Sequence, residues 1–364
     1  MNIQRFHGVD LHKRHATVSV RDRSGEEVGF HAKLYDFGAY ACSLGPQDAV
    51  VLEASSGTFF WADAIRRQEA SCMIIDPGHF RIIRDSWQKT DRRDAVNLSL
   101  ALWLSQISQQ VRLPEVYQPE PTVRVLRQLF AQWQVLNKQI RQLKNQVHGL
   151  LTDNVIADRG LGTRMVDRPA KGLETLGGLC LPSEELRSCI QIDLELLSTL
   201  MEKKGQLKSL IYQTGWPLEA QVRLLISIRG ITPLLALAFL SDVGGIRRFR
   251  KLKCLHAYLG VVPTVRSSGD VTHIGHITRQ SRGLTRTLMT QAVPHLVDSS
   301  PTLGKWYREL VHRKGRGRAR IAVIRRVLAM MRHMLLFNEP YLWLEPRLYE
   351  QKLREYQREL MKAA

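Results

Sequence analysis

The run Ala49-Val50-Val51-Leu52-Glu53 is the strongest indication of the fold, because four successive apolar residues are typical of a strand buried on both faces of a sheet. Further elements are predicted as strands at His7 to Asp10, Ala16 to Val20, Val28 to Ala32 and Cys72 to Ile75, and as a helix at Phe59 to Ala70. Three strands come first, and strands alternating with helices follow. This order predicts an α/β domain with a mixed sheet over residues 1–110.

The middle of the chain, residues 111–215, carries a heptad pattern. Apolar residues recur at alternating spacings of three and four, at Leu126, Leu129, Trp133, Leu136, Ile140, Leu143, Val147 and Leu150. A second helix repeats this spacing at Ile190, Leu194, Leu197 and Met201. The pattern predicts long helices that form a coiled coil. An antiparallel pair, an arm that dimerises, and an ordinary helical core are the three arrangements that it allows.

Residues 216–364 are predicted to be helical and basic, so the whole chain is α/β followed by all-α. The segment Ile228 to Thr232 resembles the turn of a helix-hairpin-helix element, in which backbone N–H groups contact a phosphate. Between Lys305 and Arg332 there are ten Lys or Arg residues and one acid. The glycine-spaced run from His312 to Arg320 is predicted to be a flexible arm that grips phosphates, against the alternative of a solvated tail.

Composition narrows the classes of partner. The 364 residues include 53 Lys or Arg and 34 Asp or Glu, which gives a formal charge of +19. This excess favours nucleic acid ahead of an acidic membrane surface. The opening residues lack the apolar segment of a secretory signal, and no apolar run is long enough to span a bilayer. We therefore expect a cytoplasmic, nucleoid-associated protein without a membrane partner, whose five scattered cysteines are buried, reduced thiols.

Four acidic residues lie at predicted strand ends and at a predicted helix start, positions suited to a metal centre. Asp10 and Glu53 end two strands that are neighbours in an RNase H-like sheet, while Asp91 and Asp94 share one face of a helix start that Thr90 caps. Hard carboxylate oxygens suit Mg²⁺ or Mn²⁺, and two such ions can activate one oxygen and stabilise the leaving one. A single such acid is usually a cap or turn residue, so the prediction depends on all four together.

Several motifs resemble those of transposases of the IS110/IS1111 family, the DEDD recombinases with a RuvC-like nuclease domain. In the first half they are G-V-D-x-H-K at residues 8–13, V-x-E-A-x-x-G-T at residues 51–58 and K-T-D-x-x-D-A at residues 89–95. In the second half they are Ser227 to Ile231, Ala257 to Pro263, Ser268-Gly269 and Gly275 to Gln280. They occur in the family's order and at both ends of the chain.

The resemblance implies roles that the residues alone would not reveal. Asp10, Glu53, Asp91 and Asp94 match the family's metal-binding tetrad, and Ser268 matches its serine nucleophile, which forms a covalent phosphoserine with DNA. Without the resemblance, Ser268 would be read as a turn residue, and Ser267 beside it competes for the role. The family also implies a guide RNA, called a bridge RNA, that pairs with donor and target DNA, and an oligomer in which the two centres meet between subunits.

Nine basic residues are predicted to contact nucleic acid: Arg266, Arg279, Arg282 and Arg286 near the serine, and Arg313, Lys314, Arg316, Arg318 and Arg320 in the basic run. Arg266, Arg279 and Arg282 could neutralise charge on the reacting phosphate. Two other functions remain as alternatives. A Holliday-junction type of metal-dependent endonuclease would need the four acids without Ser268, and a catalytically inactive nucleic-acid-binding protein would need neither.

Overall fold

The computed structural model describes residues 3–76, 90–107, 112–154, 159–268, 271–278, 281–298 and 300–361. The chain forms two compact units, Met1–Gln118 and Pro119–Ala364. Residues 119–215 of the predicted middle segment belong to the same unit as the C-terminal region. The reason is a shared core: Phe130 and Tyr212, from the predicted coiled coil, are buried in the same cluster as Leu237 and Val327.

The first unit contains a five-stranded mixed sheet in the order β3-β2-β1-β4-β5. Its strands are β1 (Arg5–Leu11), β2 (Ala16–Arg21), β3 (Glu27–Leu34), β4 (Asp48–Glu53) and β5 (Ser71–Ile75), and its helices are α1 (Phe37–Cys42), α2 (Thr58–Arg67) and α3 (Asp91–Ile107). Strands β1, β2 and β3 pair antiparallel, whereas β4 runs parallel to both β1 and β5. The predicted α/β layer and its mixed sheet are confirmed, and only α1 was not anticipated.

Strand β4 is an interior strand of the sheet, and both of its faces are covered. Side chains alternate between the faces of a strand, so Val50 and Leu52 enter one core with α1 and α2. Ala49 and Val51 enter the opposite core, which α3 closes with Leu98 and Leu102. The unbroken apolar run that predicted this strand therefore reflects burial on both sides.

Ionic and hydrogen-bonding contacts around the buried carboxylate of Asp48 link the beginning of β4 to β1. Asp48 accepts hydrogen bonds from Arg5 Nε at 2.6 Å and from the Gly45 backbone N at 2.8 Å, and its Oδ1 lies 3.1 Å from His7 Nε2. Burial disfavours the Asp48 carboxylate, but the hydrogen bonds from His7, Arg5 and Gly45 outweigh it and hold its pKa well below the usual range.

Replacing Asp48 with Asn should lower the free energy of unfolding by about 3 kcal/mol, because it removes the buried partner of Arg5 and His7. A carboxylate whose pKa is lowered on folding stabilises the folded state at pH values above its ordinary pKa of 3.8. It loses that contribution as the pH falls below this value. Urea unfolding at pH 7 and at pH 3 checks both statements, with the exposed Glu26→Gln as control. Equal unfolding curves for Asp48→Asn and wild type at pH 7 would contradict this account.

The second unit is mostly helical. Its helices are α4 (Pro121–Asp153), α5 (Arg159–Asp167), α6 (Pro169–Gly177), α7 (Glu184–Thr214), α8 (Glu219–Ile226), α9 (Pro233–Val243), α10 (Leu252–Tyr258), α11 (Gly283–Asp298), α12 (Pro301–Phe337) and α13 (Pro346–Met361). A two-stranded antiparallel hairpin, β6 (Pro263–Ser268) with β7 (Val271–Ile277), lies between α10 and α11.

The heptad helices α4 and α7 pair antiparallel within the chain. The C-terminal part of α4 buries Ile140 and Val147 with Ile190 and Leu194 from the beginning of α7, in a cluster that α5 and α6 complete. The beginning of α4, with Phe130, instead shares a core with the end of α7. The heptad seam is therefore covered inside one chain, and the first of the three predicted arrangements is the one observed.

The basic run forms a helical hairpin and not the flexible arm that the sequence predicts. Gly315 interrupts α12 with φ 79° and ψ 159°, a conformation essentially restricted to glycine. The chain turns back there, since the Arg326 guanidinium lies 5.5 Å from the centre of the Trp306 ring. After the turn, Ala319 and Val323 are buried. Gly315 thus allows one sharp reversal between two helices. Helix formation and core packing keep the remainder of the basic run ordered.

Two expectations drawn from composition, on the cysteines and on membrane spans, can be compared with the structure. Cys72 is buried, but Cys42, Cys180, Cys189 and Cys254 are exposed, so the expectation of buried thiols is wrong for four of the five. All four lie at exposed positions of helices or loops rather than in the sheet core. Across the described residues, none of the helices combines the length and the apolar character needed to cross a bilayer.

Candidate metal centre and nucleic-acid surfaces

Strand pairing places Asp10 and Glu53 at one edge of the sheet. Strands β1 and β4 run parallel, and Val9 pairs with Leu52. Asp10 and Glu53 are the next residues on the two strands, so they occupy adjacent positions on neighbouring strands. The predicted adjacency of the first and fourth strands is confirmed, and it brings these two acids to neighbouring positions.

Helix α3 brings the other two acids to the same place. Its first residues are Asp91 and Asp94, and the backbone N of Arg93 donates to Thr90 Oγ1 at 3.3 Å, as expected for a helix cap. The helix can lie close to β1 because Gly8 has no side chain at the contact with Ala95 and Ser99.

A buried hydrogen bond fixes α3 across the first two strands. The hydroxyl oxygens of Ser19 on β2 and Ser99 on α3 lie 3.0 Å apart, and both residues are fully buried. Trp103 packs at the turn after β2, where its Nε1 donates to Arg23 O at 3.1 Å. The helix that carries Asp91 and Asp94 is thus held at two points along its length.

Burial and neighbouring charges affect the ionisation of Asp10. Burial raises the pKa of Asp10, His12 opposes that shift, and the negative charges of Asp91 and Asp94 add to it. Converging carboxylates repel one another unless a cation lies among them, and oxygen ligands of this kind are those that Mg²⁺ and Mn²⁺ prefer. Oxygen ligands of this kind suit a divalent metal ion, and Asp10, Glu53, Asp91 and Asp94 are the residues predicted to hold it.

Two histidines at this site were missed by the sequence reasoning. His12 Nε2 lies 3.3 Å from Asp10 Oδ2 and 3.4 Å from Asp91 Oδ2, so one imidazole bridges two of the acids. His15 is beside it, with ring centres 4.6 Å apart. The signal was present in the segment Asp10 to His15, where two histidines follow the first acid across a turn between strands.

Substituting Gly8 with Ala should damage both the fold and the site. A Cβ at this position would overlap the backbone N of Ser99 and the backbone O of Ala95, which cannot rotate away. We expect a loss of about 3 kcal/mol in the free energy of unfolding, together with a weaker response to divalent ions as α3 moves off β1. Thermal unfolding with and without Mg²⁺ measures both effects. Gly45→Ala is the matched control, since its Cβ meets nothing within 4 Å, and equal behaviour of the two variants would contradict the close-approach argument.

The predicted nucleophile lies in the second unit. Ser268 is the last residue of β6, where its backbone pairs with Val271 of β7, and Arg266 precedes it on the same strand. Arg279 lies outside the described residues. The four acids lie in the first unit and Ser268 lies in the second.

The remaining arginines near the serine differ in their contacts. Arg286 donates from Nη1 to Gly260 O at 2.8 Å and to Thr278 O at 3.1 Å, so it ties together the loops on both sides of the β-hairpin. Arg282 is exposed, and its charge adds to the burial that lowers the pKa of Arg127. The exposed Arg282 can therefore contact a phosphate, whereas Arg286 has a structural role through its hydrogen bonds to the two loops.

Five predicted basic residues crowd the tip of the α12 hairpin. All five are exposed on either side of Gly315: Arg313, Lys314, Arg316, Arg318 and Arg320. Such a density of exposed positive charge favours contact with a nucleic-acid backbone, in which each neutralised phosphate releases counterions.

A second basic surface lies in a cleft of about 720 Å³ that α4, α7, α9 and α11 line. Lys138, Arg141, Lys204 and His295 line it, and its described lining residues include no acid. The Lys204 ammonium lies 5.4 Å from the centre of the Trp133 ring. Burial and the charges of Lys144 and Lys208 lower the pKa of Lys204.

The predicted helix-hairpin-helix turn opens onto this cleft. Helices α8 and α9 are joined by a short turn in which Gly230 lines the cleft. However, Thr232 caps α9, accepting from Leu235 N at 3.2 Å through Oγ1 and from Ala236 N at 2.9 Å through its carbonyl. These two N–H groups are therefore satisfied internally, and contact with a phosphate would fall to the lysine and arginine side chains.

Family models match both units. The model described as "Transposase IS116/IS110/IS902 family" matches residues 222–308, which include Ser268 and the β-hairpin. A DEDD-type IS110 model described as "Transposase" matches residues 7–155, which include all four acids. Together the two models cover more than half of the chain, in the order found in the family.

Curated relatives agree with these matches along most of the chain. A "Probable family 20 transposase" of Pseudomonas aeruginosa is 23% identical over 321 residues, covering 85% of this chain and 86% of the relative. The "Transposase for insertion sequence element IS1111A" of Coxiella burnetii is 23% identical over 301 residues, covering 80% and 79%. The chain thus belongs to the IS116/IS110/IS902 family of transposases, enzymes of DNA phosphoryl transfer, and carries that family's DEDD-type N-terminal domain.

Proposed function

We propose that this transposase is a serine recombinase that moves its own insertion element, and that a bridge RNA directs it to donor and target DNA. The observation that carries the proposal is the convergence of Asp10, Asp91 and Asp94, with Glu53 on the adjacent strand, in a chain whose second family match contains Ser268. Mg²⁺ or Mn²⁺ is the proposed cofactor.

The proposed roles of the residues follow from their chemistry. A bound divalent ion would polarise the scissile phosphate and favour the ionised serine. Ser268 attacks phosphorus through its Oγ, the P–O bond to one deoxyribose breaks, and the freed hydroxyl leaves with a proton. The phosphoserine retains the energy of the broken phosphodiester, so an attacking hydroxyl from a new strand can release Ser268 without ATP. Arg266, Arg279 and Arg282 are proposed to neutralise charge on the phosphate oxygens.

Nucleic acid is proposed to bind at the two basic surfaces of the second unit. The hairpin tip offers a compact cluster of guanidinium groups suited to the phosphates of a duplex. The cleft combines Trp133 with Lys138, Arg141 and Lys204, an arrangement that suits a base stacked beside its phosphate in single-stranded RNA. Base pairing by the RNA would then supply sequence choice, while the protein reads backbone and shape.

A trapping assay on the wild-type protein tests this function. The protein, DNA spanning the element ends and RNA transcribed from the flanking region are incubated with Mg²⁺, and the products are separated on a denaturing gel before and after proteinase treatment. We expect a DNA band that is retarded by attached protein, is released by proteinase and is absent in EDTA. Free nicked DNA without any retarded band would instead support a metal-dependent endonuclease that uses water.

A homo-oligomer is proposed through the outer face of the α4–α7 pair. Ile192 and Leu196 stand one turn apart on α7 and are 56% and 51% exposed, although the heptad seam itself is buried. Apolar side chains at this spacing are typical of a second helix contact. We propose that this face holds two chains together as a dimer or higher oligomer.

Introducing a charge at this face should dissociate the oligomer without unfolding the chain. For Leu196→Asp we expect the mass measured by light scattering to fall to that of a monomer, because an exposed apolar contact becomes charged and solvated. Thermal unfolding should change little. Thr175→Asp, at an exposed position of α6, is the control. An unchanged mass for Leu196→Asp would mean that this face is not the interface.

A further inference from the structure

The turn between β1 and β2 holds two imidazoles side by side. The His12 backbone N donates to His15 O at 2.9 Å, which closes the turn and brings both side chains to the same edge of the sheet. Their ring centres are 4.6 Å apart. The side chain of Asp91, at the start of α3, approaches this pair and is 56% exposed, so the group can be reached from solvent.

The donor atoms of these three residues are spaced as cation ligands are. One donor atom each from His12, His15 and Asp91 lies within 4.8 Å of the other two. The separation between His12 Nε2 and Asp91 Oδ2 is 3.4 Å. Two ligands at about 2.1 Å from one tetrahedral ion are separated by roughly this distance.

A second observation concerns His15. Its Nε2 is buried and accepts or donates no hydrogen bond within the described part of the chain. A buried polar atom without a partner costs free energy unless a ligand satisfies it. His12, in contrast, already contacts Asp10 and Asp91, so His15 is the member of the group with an unfilled coordination position.

We infer that His12, His15 and Asp91 bind one divalent ion of the Zn²⁺ and Co²⁺ type, at a site that adjoins the carboxylate set and shares Asp91 with it. Imidazole nitrogens favour Zn²⁺ and Co²⁺, whereas Mg²⁺ prefers an all-oxygen set. Because Asp91 serves both sites, an ion bound to the histidines withdraws one ligand from the carboxylate set, so Zn²⁺ should antagonise Mg²⁺ at low concentration.

The inference does not depend on the serine chemistry, and its test needs neither DNA nor RNA. Co²⁺ is titrated into the full-length, reduced protein, and the visible absorption of the ion is recorded. We expect saturation at one ion per chain, displacement by Zn²⁺, and no displacement by a roughly hundredfold excess of Mg²⁺. A thiolate-to-cobalt band in the near ultraviolet would reveal binding to the exposed cysteines and overturn the assignment.

Variants locate the ion. His15→Gln and His12→Gln should each weaken Co²⁺ binding by at least about tenfold, while His31→Gln, an exposed histidine on β3 of the same unit, should bind as wild type does. If a histidine variant fails to fold by circular dichroism, Asp91→Asn replaces it, because its side chain is more than half exposed. Unchanged Co²⁺ binding in these variants, an equal loss in His31→Gln, or ready displacement by Mg²⁺ would overturn the inference.

Discussion

Replacing Asp10 with Asn is expected to reduce DNA strand cleavage by at least about a thousandfold while leaving nucleic-acid binding nearly unchanged. Asp10 lies at the centre of the candidate metal site, next to Glu53 in the register of β1 and β4 and close to the charges of Asp91 and Asp94. An amide keeps the shape of the carboxyl group but cannot supply the charge that holds a divalent ion. The basic surfaces proposed for DNA and RNA lie in the other unit, so binding should persist.

The same variant has a second expected effect, on stability. Burial and the neighbouring Asp91 and Asp94 raise the pKa of Asp10, so the folded state favours the neutral form. A group with a raised pKa on folding stabilises the fold at low pH and loses that contribution as the pH rises. At pH 7 without metal, Asp10→Asn should therefore unfold at a higher temperature than wild type. This difference should shrink towards pH 4 and should also shrink when Mg²⁺ is added.

Cleavage and thermal unfolding at pH 7 and pH 4 measure these effects, with the exposed Glu26→Gln as control. An Asp10→Asn variant that cleaves DNA at the wild-type rate would remove Asp10 from the reaction. A variant that is less stable than wild type at pH 7 would show that Asp10 is a structural residue instead.

Replacing Ser268 with Ala is expected to abolish the covalent protein–DNA product, because no hydroxyl then remains to attack the phosphate. Cleavage and strand transfer should fall together, since both steps of the proposed reaction pass through the phosphoserine. The variant removes one oxygen at the end of a β-hairpin, so the stability of the fold and the binding of RNA and DNA should not change.

Ser267→Ala is the matched control, because Ser267 and Ser268 are adjacent on the same strand. It should retain the covalent product. If Ser268→Ala still nicks DNA in Mg²⁺ without a covalent product, water is the nucleophile and the enzyme is a nuclease of the junction-resolving type. If Ser267→Ala alone loses the product, the family match selected the wrong serine.

The first unit could be predicted closely from local patterns. Strands β4 and β5 are short apolar runs, and the run around Val51 identified a strand that is buried on both faces. The acids could be placed since Asp10 and Glu53 lie at or next to the ends of strands and Asp91 begins a helix. The family match supports this placement, whereas the role of each acid is still a prediction.

The second unit was predicted less well, for reasons that lie in tertiary contacts. The heptad seam predicts a partner helix but does not say whether the partner belongs to the same chain, and α7 turned out to cover α4. Glycines in the basic run were interpreted as flexibility, but the positive φ of Gly315 serves a single reversal between two packed helices. His12 and His15 follow Asp10 in the sequence but carry no periodic signal, and the folded turn places their donor atoms close to that of Asp91.

Peptide mapping of the trapped protein–DNA product tests the central claim most directly. The product formed in Mg²⁺ with element-end DNA and flanking RNA is digested with nuclease and protease, and the peptide that retains a nucleotide is located by mass spectrometry. Our account predicts a nucleotide on Ser268, formed by the wild type and not by Asp10→Asn. A nucleotide on any other residue, or cleaved DNA with no attached peptide, would contradict it.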